Sequence, residues 1–262
     1  MTRIAQAFGL NIWELLAAAR TKNFGFELCD PGLIGGHCIP IDPHYLAWAT
    51  RSYRVAAHFV DAAEMAHQRM NRYAFELVHR LLNHWDKSLL HARVLIFGVT
   101  YKKDVDDMRE APAHTLMKRL YLHGAQVAYW DPILGSSHLR GPFQLSFSQA
   151  EIAQLPPPSV AKLEAAHDDS AAVVIPAQLG GEWPQIRPRV IGGDFDCIVV
   201  NTAHTIFNDT YQEILAEGPP VADLRNALGH WLESEAIASP ERIREVVAMM
   251  ERDGRCMLLG VD

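Results

Sequence analysis

The sequence predicts an α/β fold in which a helical segment is followed by a doubly wound domain with a parallel sheet. Two patterns support this prediction. Apolar residues recur three and four positions apart through 60–82, as on one face of a helix, whereas 94–99 is a continuous apolar run. Such a run is typical of a strand buried on both faces of a parallel sheet. Strands and helices alternate after it, which places any ligand at the carboxyl ends of the strands.

The helical segment occupies residues 1–90. Apolar spacing predicts helix through 1–20, where Asn11 is placed to cap a second segment that starts at the next residue. A loop rich in glycine and proline follows over 24–45, before the long helix over 60–82. The stripe over 60–82 is more apolar than one covering domain needs, so we expect a homodimer through it. The alternative is packing within the chain.

Residues 91–262 make up the predicted sheet domain. Pro112 suits the first turn of a helix and Gly124 its C-terminal stop. Residues 135–190, which contain runs of proline and glycine, are predicted to be an insertion at the edge of the sheet, with a helical piece near 160–166. The other predicted elements are strands over 94–99, 126–130, 195–200 and, as the last one, 221–224, and helices over 112–122 and 211–216.

The composition excludes several classes of protein. The 262 residues are 49% hydrophobic and carry a net charge of -7, so a basic face for nucleic acid is not expected. No apolar run approaches the roughly 20 residues of a membrane helix, and the first residues lack the apolar core of a signal peptide. Four cysteines without a Cys-x-x-Cys pair do not make a disulfide framework, so we expect a protein of the reducing cytoplasm.

The first candidate site is the glycine-rich loop over 31–43, which contains Cys38 and Asp42. A cysteine on such a loop has little steric crowding and backbone N–H groups nearby, and both favour a thiolate nucleophile. A carboxylate four residues later is able to take a proton or orient a water. Two alternatives stay open. One is a tight turn with a small buried cysteine, and the other is a metal site of His37, Cys38 and His44, whose spacing differs from that of the usual ligand sets.

Two further clusters follow predicted strands. Residues 101–110 include Lys102, Lys103 and Arg109, and basic residues between a strand and a helix suit a phosphate-bearing ligand. Arg225 follows the last predicted strand. For each cluster alone, the alternative is a solvated turn or a structural arginine. The sequence contains no Gly-x-Gly-x-x-Gly fingerprint, so the sheet domain is not predicted to bind a dinucleotide.

Five runs of residues in this sequence are similar to those of one known family. They are Gly-Gly-His-Cys-Ile-Pro-Ile-Asp-Pro at 35–43, Tyr-Lys-Lys-Asp-Val-Asp-Asp-Met-Arg-Glu-Ala-Pro at 101–112, Trp-Asp-Pro at 130–132, Val-Val-Asn-Thr-Ala-His at 199–204 and Asp-Leu-Arg-Asn-Ala-Leu at 223–228. Together they resemble the UDP-glucose/GDP-mannose dehydrogenase family, most closely its bacterial branch that oxidises UDP-N-acetylhexosamines. The resemblance implies a helical dimerisation segment, a Rossmann-like domain that binds the UDP-sugar, and NAD-dependent oxidation of the sugar's C6 alcohol to a carboxylate.

The resemblance also implies roles for individual residues. Cys38 matches the nucleophile that captures the aldehyde as a thiohemiacetal, which is oxidised to a thioester and hydrolysed. Asp42 matches the carboxylate that works with a lysine on protons and water. Arg109 matches an arginine that reaches the NAD, and Lys22 lies where some members reach the partner subunit's site. The residues that match binding of the nucleotide sugar are Phe26, Pro31, Ile34, Gly35, Tyr101, Lys102 and Arg225.

The family pattern is incomplete in this sequence. Members of the family begin with an NAD-binding domain and a central helix that carries a catalytic lysine and a substrate-binding asparagine, and this sequence begins late in that helix or just after it. We therefore expect part of a dehydrogenase that does not turn over alone, with NAD bound mainly elsewhere, for instance by a separate polypeptide. The alternatives are a noncatalytic UDP-sugar-binding module and a fragment of a UDP-glucose or GDP-mannose dehydrogenase.

Overall fold

The computed structural model describes residues 1–22, 24–25, 27, 29–133, 195–208, 210–211, 214, 218–225, 228 and 256–258, and the backbone of three strands between 143 and 175. The helices are α1 (Thr2–Ala7), α2 (Ile12–Arg20), α3 (Asp42–Ser52), α4 (His58–His84) and α5 (Pro112–Leu122). The strands are β1 (Arg93–Phe97), β2 (Gln126–Trp130), β3 (Phe143–Ser148), β4 (Glu164–Ala165), β5 (Ser170–Ile175), β6 (Cys197–Val200), β7 (Val221–Asp223) and β8 (Cys256–Leu258). None of the described helices is both long and apolar enough to span a membrane.

Five parallel strands form the central sheet, in the order β2-β1-β6-β7-β8. In this register Val94 of β1 lies between Val127 of β2 and Cys197 of β6. The chain runs from β1 through α5 to β2 on one side of β1, and later enters β6 on the other side. The strand order therefore reverses at β1, and a crevice opens between the carboxyl ends of β1 and β6. This is where ligands bind in open α/β sheets.

Side chains from other elements cover both faces of the sheet, in agreement with the doubly wound prediction. On one face, α4 and α5 pack against Val94 and Ile96 of β1. On the other face, Phe207 and its neighbours pack against Leu95 and Phe97. Alternate residues of β1 thus enter two different cores, which explains why this run is apolar throughout.

The long helix α4 includes the whole of the predicted helix over 60–82. Its second half packs within the chain, where Leu77 and Leu81 are fully buried in the core. Its first half is exposed, with 94% of Phe59 and 52% of Met65 accessible. The buried half of the apolar stripe therefore packs within the chain, whereas the first half of the helix leaves apolar side chains exposed.

The N-terminal region forms two short helices, as the capping pattern predicts. The Oδ1 atom of Asn11 accepts a hydrogen bond from the N–H of Trp13 at 2.9 Å, which makes Asn11 the N-cap of α2. Gly9, with a φ of +66°, turns the chain between α1 and α2. Both helices share a small cluster of apolar side chains that is separate from the two cores of the sheet.

Three predictions about elements were wrong in part. The loop over 24–45 ends early, because α3 begins at Asp42 with Pro43 in its first turn. The strand over 221–224 is not the last one, since β8 pairs with β7 at the edge of the sheet. Glu164–Ala165, predicted to be helical, is the strand β4, which pairs with β5 in a separate antiparallel sheet of order β3-β5-β4. A two-residue strand is too short to produce a period in the sequence.

Parts of two predictions lie outside the described residues. In the predicted helix over 211–216, the structure describes Tyr211 and Ile214, and both are helical. In the predicted insertion over 135–190, it describes the backbone of the three antiparallel strands.

Candidate functional site

A cavity of about 640 Å³ lies at the carboxyl edge of the sheet, in the crevice between β1 and β6. We name it the sheet-edge cavity. Loops that follow three strands line it: Tyr101 to Lys103 after β1, Thr202 after β6 and Arg225 after β7. Another part of its lining comes from the chain between Asp30 and Gly35, at the start of the glycine-rich loop. A cavity of this size, where the strand order reverses, is typical of a small-molecule site.

The glycine-rich loop is fixed to the sheet domain by one apolar anchor and by close backbone contacts. Leu33 is buried in the core beside α4 and α5, and the N–H of Gly36 donates to the carbonyl oxygen of Arg109 at 3.0 Å. A Cβ atom on Gly35 would lie 2.8 Å from the Cβ of Tyr101, which is closer than real Cβ atoms approach. The glycine is therefore what allows the loop to lie against Tyr101.

Arg225 joins this loop to the sheet. Its Nη2 donates to the carbonyl oxygen of Leu33 at 3.2 Å, and its Nε donates to that of Asn201 at 3.1 Å. Gly32 leaves room for the guanidinium, since a Cβ atom there would lie 2.2 Å from Nη1. Burial lowers the pKa of Arg225, and the charge of Asp223 opposes that shift. The guanidinium remains charged at neutral pH and gives the cavity a fixed positive charge.

A buried hydrogen-bond network holds the loop that follows β1. The Oδ2 atom of Asp131 accepts from the N–H groups of Val99 at 2.7 Å and Thr100 at 3.1 Å. The Nε2 atom of His204 lies 3.1 Å from the same Oδ2 and 3.0 Å from the Oγ1 of Thr100. The N–H of Asp104 donates to the Nδ1 of His204 at 2.9 Å. Because Nδ1 accepts, the ring proton of the neutral imidazole is on Nε2 and points into the network.

The network fixes both ends of the short segment that carries Lys102 and Lys103. Thr100 precedes these lysines and Asp104 follows them. The carboxylate of Asp104 in turn accepts from the N–H and the hydroxyl of Thr205, at 2.9 and 2.5 Å. Two flexible lysine side chains are thus carried by a rigid backbone at the mouth of the sheet-edge cavity.

Asp131 is the buried charge at the centre of this network. Burial alone would raise the pKa of its carboxyl, but the hydrogen bond from His204 and the N–H groups of Val99 and Thr100 outweigh burial, so the pKa lies below its usual value. The carboxylate is therefore ionised at neutral pH and holds both N–H groups.

Cys38 is exposed on the glycine-rich loop, and the next residue, Ile39, lines the sheet-edge cavity. This position contradicts the alternative of a small buried cysteine. The carbonyl oxygen of Cys38 accepts from the N–H of Asp42 at 2.9 Å, so Asp42 lies one turn further on, at the start of α3. Arg109 is close enough to interact electrostatically with Cys38. The hydrogen bond to Asp107, and then its charge, raise the pKa of Arg109.

The structure brings together most of the residues singled out in the sequence. Cys38, Asp42 and Arg109 are not part of the lining of the sheet-edge cavity, although Cys38 precedes the lining residue Ile39. Phe26 lies outside the described residues, and the Nζ of the exposed Lys22 is 5.6 Å from the centre of the Phe24 ring. Those that line the cavity are Pro31, Ile34, Gly35, Tyr101, Lys102 and Arg225.

Sequence reasoning missed part of the cavity and its support. Asp131 lies in the Trp-Asp-Pro run and His204 in the Asn-Thr-Ala-His run, and each run ends a strand or follows it. This position in the sequence could have indicated that both residues lie at the carboxyl edge of the sheet. The lining residues that were missed are Thr202, Ala203, Asn208 and Tyr211.

The cysteines and histidines of the described residues do not gather into a metal site. In that part of the chain no three His, Cys, Asp or Glu side chains are placed to hold a metal ion. Cys29 and Cys38 are exposed free thiols, and Cys197 and Cys256 are buried ones. Burial raises the pKa of Cys197 to about 12, so that thiol stays protonated at neutral pH.

Two sequence models of one family match this chain. Residues 1–69 match the UDP-glucose/GDP-mannose dehydrogenase family, central domain, and residues 95–187 match its UDP binding domain. A UDP-N-acetyl-D-mannosamine dehydrogenase of Methanococcus maripaludis is 34% identical over 131 residues, which are 50% of this chain and 29% of that protein. A UDP-N-acetyl-D-glucosamine 6-dehydrogenase of Pseudomonas aeruginosa is 32% identical over 132 residues, which are 49% of this chain and 30% of that protein.

A solved structure shares the fold. The UDP-D-ManNAc dehydrogenase from Pyrococcus horikoshii superposes with a TM-score of 0.60 at 20% identity, over 86% of this chain and 43% of that one. At this identity the likeness concerns the fold alone. The chain spans less than a third of each of these two curated relatives and less than half of this solved structure.

Proposed function

Because the chain belongs to the UDP-glucose/GDP-mannose dehydrogenase family, we propose that it is the nucleotide-sugar-binding and cysteine-bearing part of an NAD-dependent UDP-N-acetylhexosamine 6-dehydrogenase. The observation that carries the proposal is the sheet-edge cavity, lined by Lys102 and Arg225 and continued by the loop that exposes Cys38. In this division, residues 1–90 supply the nucleophile and one side of the cavity, and residues 91–262 supply the rest of its lining.

The cavity suits a nucleoside diphosphate attached to a sugar. Three cations, Lys102, Lys103 and Arg225, line it against one carboxylate, Asp30, and a diphosphate forms strong charge-assisted hydrogen bonds with such cations. Tyr101 offers an aromatic surface for a base or a sugar ring. The volume of about 640 Å³ lies within the usual range for a small-molecule site. The relatives named for UDP-N-acetyl sugars favour the UDP-N-acetylhexosamine as substrate.

Cys38 acts on C6 of the sugar after the alcohol has lost a hydride and a proton. Its sulfur bonds to the aldehyde carbon, and the thiol proton passes to the carbonyl oxygen, which gives a thiohemiacetal. Loss of a second hydride and of the hydroxyl proton gives a thioester. Water then attacks this carbonyl, the C–S bond breaks, and the carboxylate and the free thiol are released.

Asp42 is the residue of this chain proposed to handle protons in these steps. It is exposed, as Cys38 is, and starts the helix one turn after it. A carboxylate there is able to accept a proton from the attacking water and return it to the departing sulfur.

NAD is the proposed hydride acceptor, and the described residues do not form a site for it. The N–H groups of Val99 and Thr100, in the turn after β1, are already donated to Asp131. A Cβ atom on Gly98, in the same turn, would lie 2.3 Å from the carbonyl oxygen of Thr202, so this turn is filled by protein and leaves no room for a pyrophosphate. We therefore place the NAD site on another domain or polypeptide, with Arg109 as its contact from this chain.

We also propose a homodimer in the cytoplasm. The first half of α4 exposes Phe59 and Met65, and α3 beside it exposes Tyr45, Leu46 and Trp48. Contiguous apolar side chains of this kind mark a surface that another protein covers. The exposed Cys38 needs a reducing compartment to stay a free thiol.

Protection of Cys38 tests the proposal. The 262-residue chain is treated with iodoacetamide with and without UDP-N-acetylglucosamine, and alkylation at Cys38 is followed by mass spectrometry. We expect the nucleotide sugar to slow the reaction at Cys38, because it occupies the cavity beside that loop. Lys102→Gln should abolish the protection by weakening the hold on the diphosphate.

Free N-acetylglucosamine is the control ligand, because it lacks the nucleotide that anchors it. It should leave the alkylation rate unchanged. Equal rates at Cys38 with and without the nucleotide sugar, at millimolar concentration, would overturn the proposed site.

A further inference from the structure

A second cavity, of about 940 Å³, lies between α4 and α5. We name it the α4–α5 cavity. The proposed reaction gives it no ligand. It is distinct from the sheet-edge cavity, although Ile34 of the glycine-rich loop contributes to both linings. Its lining is rich in charged side chains and includes Arg72, Lys118 and Arg119, the acids Glu76 and Glu110, and three histidines.

The acids of this cavity are outnumbered by its basic side chains. Glu76 already faces two arginines, since its carboxylate lies 2.8 Å from the Nε of Arg72 and 3.9 Å from the Nη1 of Arg3. Three basic side chains line the cavity against two carboxylates, so basic groups are in excess. Protonation of any lining histidine would increase that excess.

Arg119 is a cation of this cavity whose guanidinium has no acidic partner in direct contact. No ion pair or side-chain hydrogen bond of this group occurs in the part of the chain that the structure describes. The side chain is half-buried. Burial and the charge of Arg72 lower its pKa, and the charge of Glu76 does not offset them. An anion between Arg72 and Arg119 would compensate for both effects.

A second, independent observation points to a ligand in the same place. Asn71 is 7% exposed and lines the α4–α5 cavity, and its Oδ1 has no hydrogen-bond partner among the described residues. Its Nδ2 is 3.1 Å from the Nε2 of His67, another lining residue. A buried amide with an unused oxygen is rare in a complete structure, and a ligand that carries a hydroxyl would supply the missing donor.

We propose that the α4–α5 cavity binds a small molecule that carries both phosphate and hydroxyl groups. The guanidinium groups of Arg72 and Arg119 would hold a phosphate through paired N–H donors, and Lys118 would add a point charge. Asn71 would accept from a hydroxyl of the same ligand. The site is independent of the proposed dehydrogenase activity.

The test uses inorganic pyrophosphate as a probe, titrated into the 262-residue chain in a calorimeter. We expect binding to the wild-type chain and an affinity at least about tenfold lower for Arg119→Gln, the loss typical of a charge-assisted hydrogen bond. Lys118→Gln provides a second variant, with a smaller expected loss. Circular dichroism and thermal unfolding establish that both variants are folded.

Two controls separate this site from the rest of the molecule. Arg69→Gln removes an exposed arginine of α4 that does not line the cavity, and should leave the affinity unchanged. Lys102→Gln should abolish binding of pyrophosphate in the sheet-edge cavity and leave the α4–α5 cavity intact. Failure of the proposal for one cavity can therefore be distinguished from failure of the proposal for the other. Absence of pyrophosphate binding to Lys102→Gln, or an affinity of that variant that adding Arg119→Gln does not lower, would overturn the proposal.

Discussion

Gly32 lies against the guanidinium of Arg225, which lines the sheet-edge cavity. Because a Cβ atom there would lie 2.2 Å from the Nη1 of Arg225, Gly32→Ala must displace that guanidinium from the loop and the cavity. We predict that UDP binds at least about tenfold more weakly to this variant, the equivalent of one charge-assisted hydrogen bond. Calorimetric titration with UDP measures the change.

Gly9→Ala is the matched control for this substitution. Gly9 has open space around its missing side chain, and its φ of +66° makes alanine strained there. This variant should lose about 1 kcal/mol of stability and keep its affinity for UDP. If Gly32→Ala bound UDP as the wild type does, Arg225 would not be a cation of the site.

Asp131 makes the fold sensitive to acid. The pKa of its carboxyl is lower in the folded chain than in the unfolded chain. The ionised carboxylate therefore stabilises the fold at pH values above the pKa of the unfolded chain, about 3.9. This contribution is lost as the pH falls through the folded pKa. We predict that the free energy of unfolding falls below about pH 4, and that Asp131→Asn lowers it by about 2–4 kcal/mol at pH 7.

Urea unfolding across the acid range checks this prediction. The variant should show a weaker dependence on pH than the wild type, because one depressed carboxyl is gone, while Asp104 and Asp196, whose pKa values are also lowered, remain. An unchanged acid dependence in Asp131→Asn would contradict the role given to this carboxylate.

The residues of the site differ in how visible they are in the sequence. Cys38 and Asp42 stand in one continuous run, so the candidate nucleophile and its carboxylate could be singled out directly. Asp131 and His204 are 73 positions apart and meet only because their strands lie on either side of β1. Their contact depends on the order of the strands, which a single sequence does not specify.

At the scale of elements, the two halves of α4 have different roles. The second half is buried under the sheet, whereas 94% of Phe59 in the first half is accessible. If the first half forms the dimer contact, Phe59→Asp should convert the dimer to a monomer without loss of helix, because it places a charge in an apolar interface. Sedimentation velocity measures the oligomeric state.

Leu90→Asp is the control for this prediction. Leu90 is 50% exposed and lies beyond the other end of α4, so a charge there should leave the oligomeric state unchanged. A wild-type chain that remains monomeric at high protein concentration would contradict the proposed dimer.

Elements with a strong period could be predicted, and weakly patterned ones could not. The apolar stripe of α4 and the continuous run of β1 both reflect burial by the rest of the fold. Helix α3 buries only Ala47, so no apolar stripe marks it. Strand β8 has three residues at the edge of the sheet, and its pairing with β7 depends on the arrangement of the whole domain.

At the scale of the whole molecule, the chain combines a candidate nucleotide-sugar cavity with a turn after β1 that is already filled by Asp131 and Thr202. We predict that the 262-residue chain alone does not reduce NAD when given UDP-N-acetylglucosamine, because protein fills the turn after β1 where the pyrophosphate of a dinucleotide would bind. Absorbance of NADH measures the reaction, and steady turnover by the purified chain would contradict the prediction.

The measurement that tests the central claim most directly is calorimetric titration of this chain with UDP-N-acetylglucosamine, with UDP as the comparison. We predict micromolar binding of both ligands, about -8 kcal/mol, and weaker binding to Lys102→Gln, because the nucleotide is held at the sheet-edge cavity. Absence of binding at millimolar ligand would contradict the account, since the described cavity would then not be a nucleotide-sugar site.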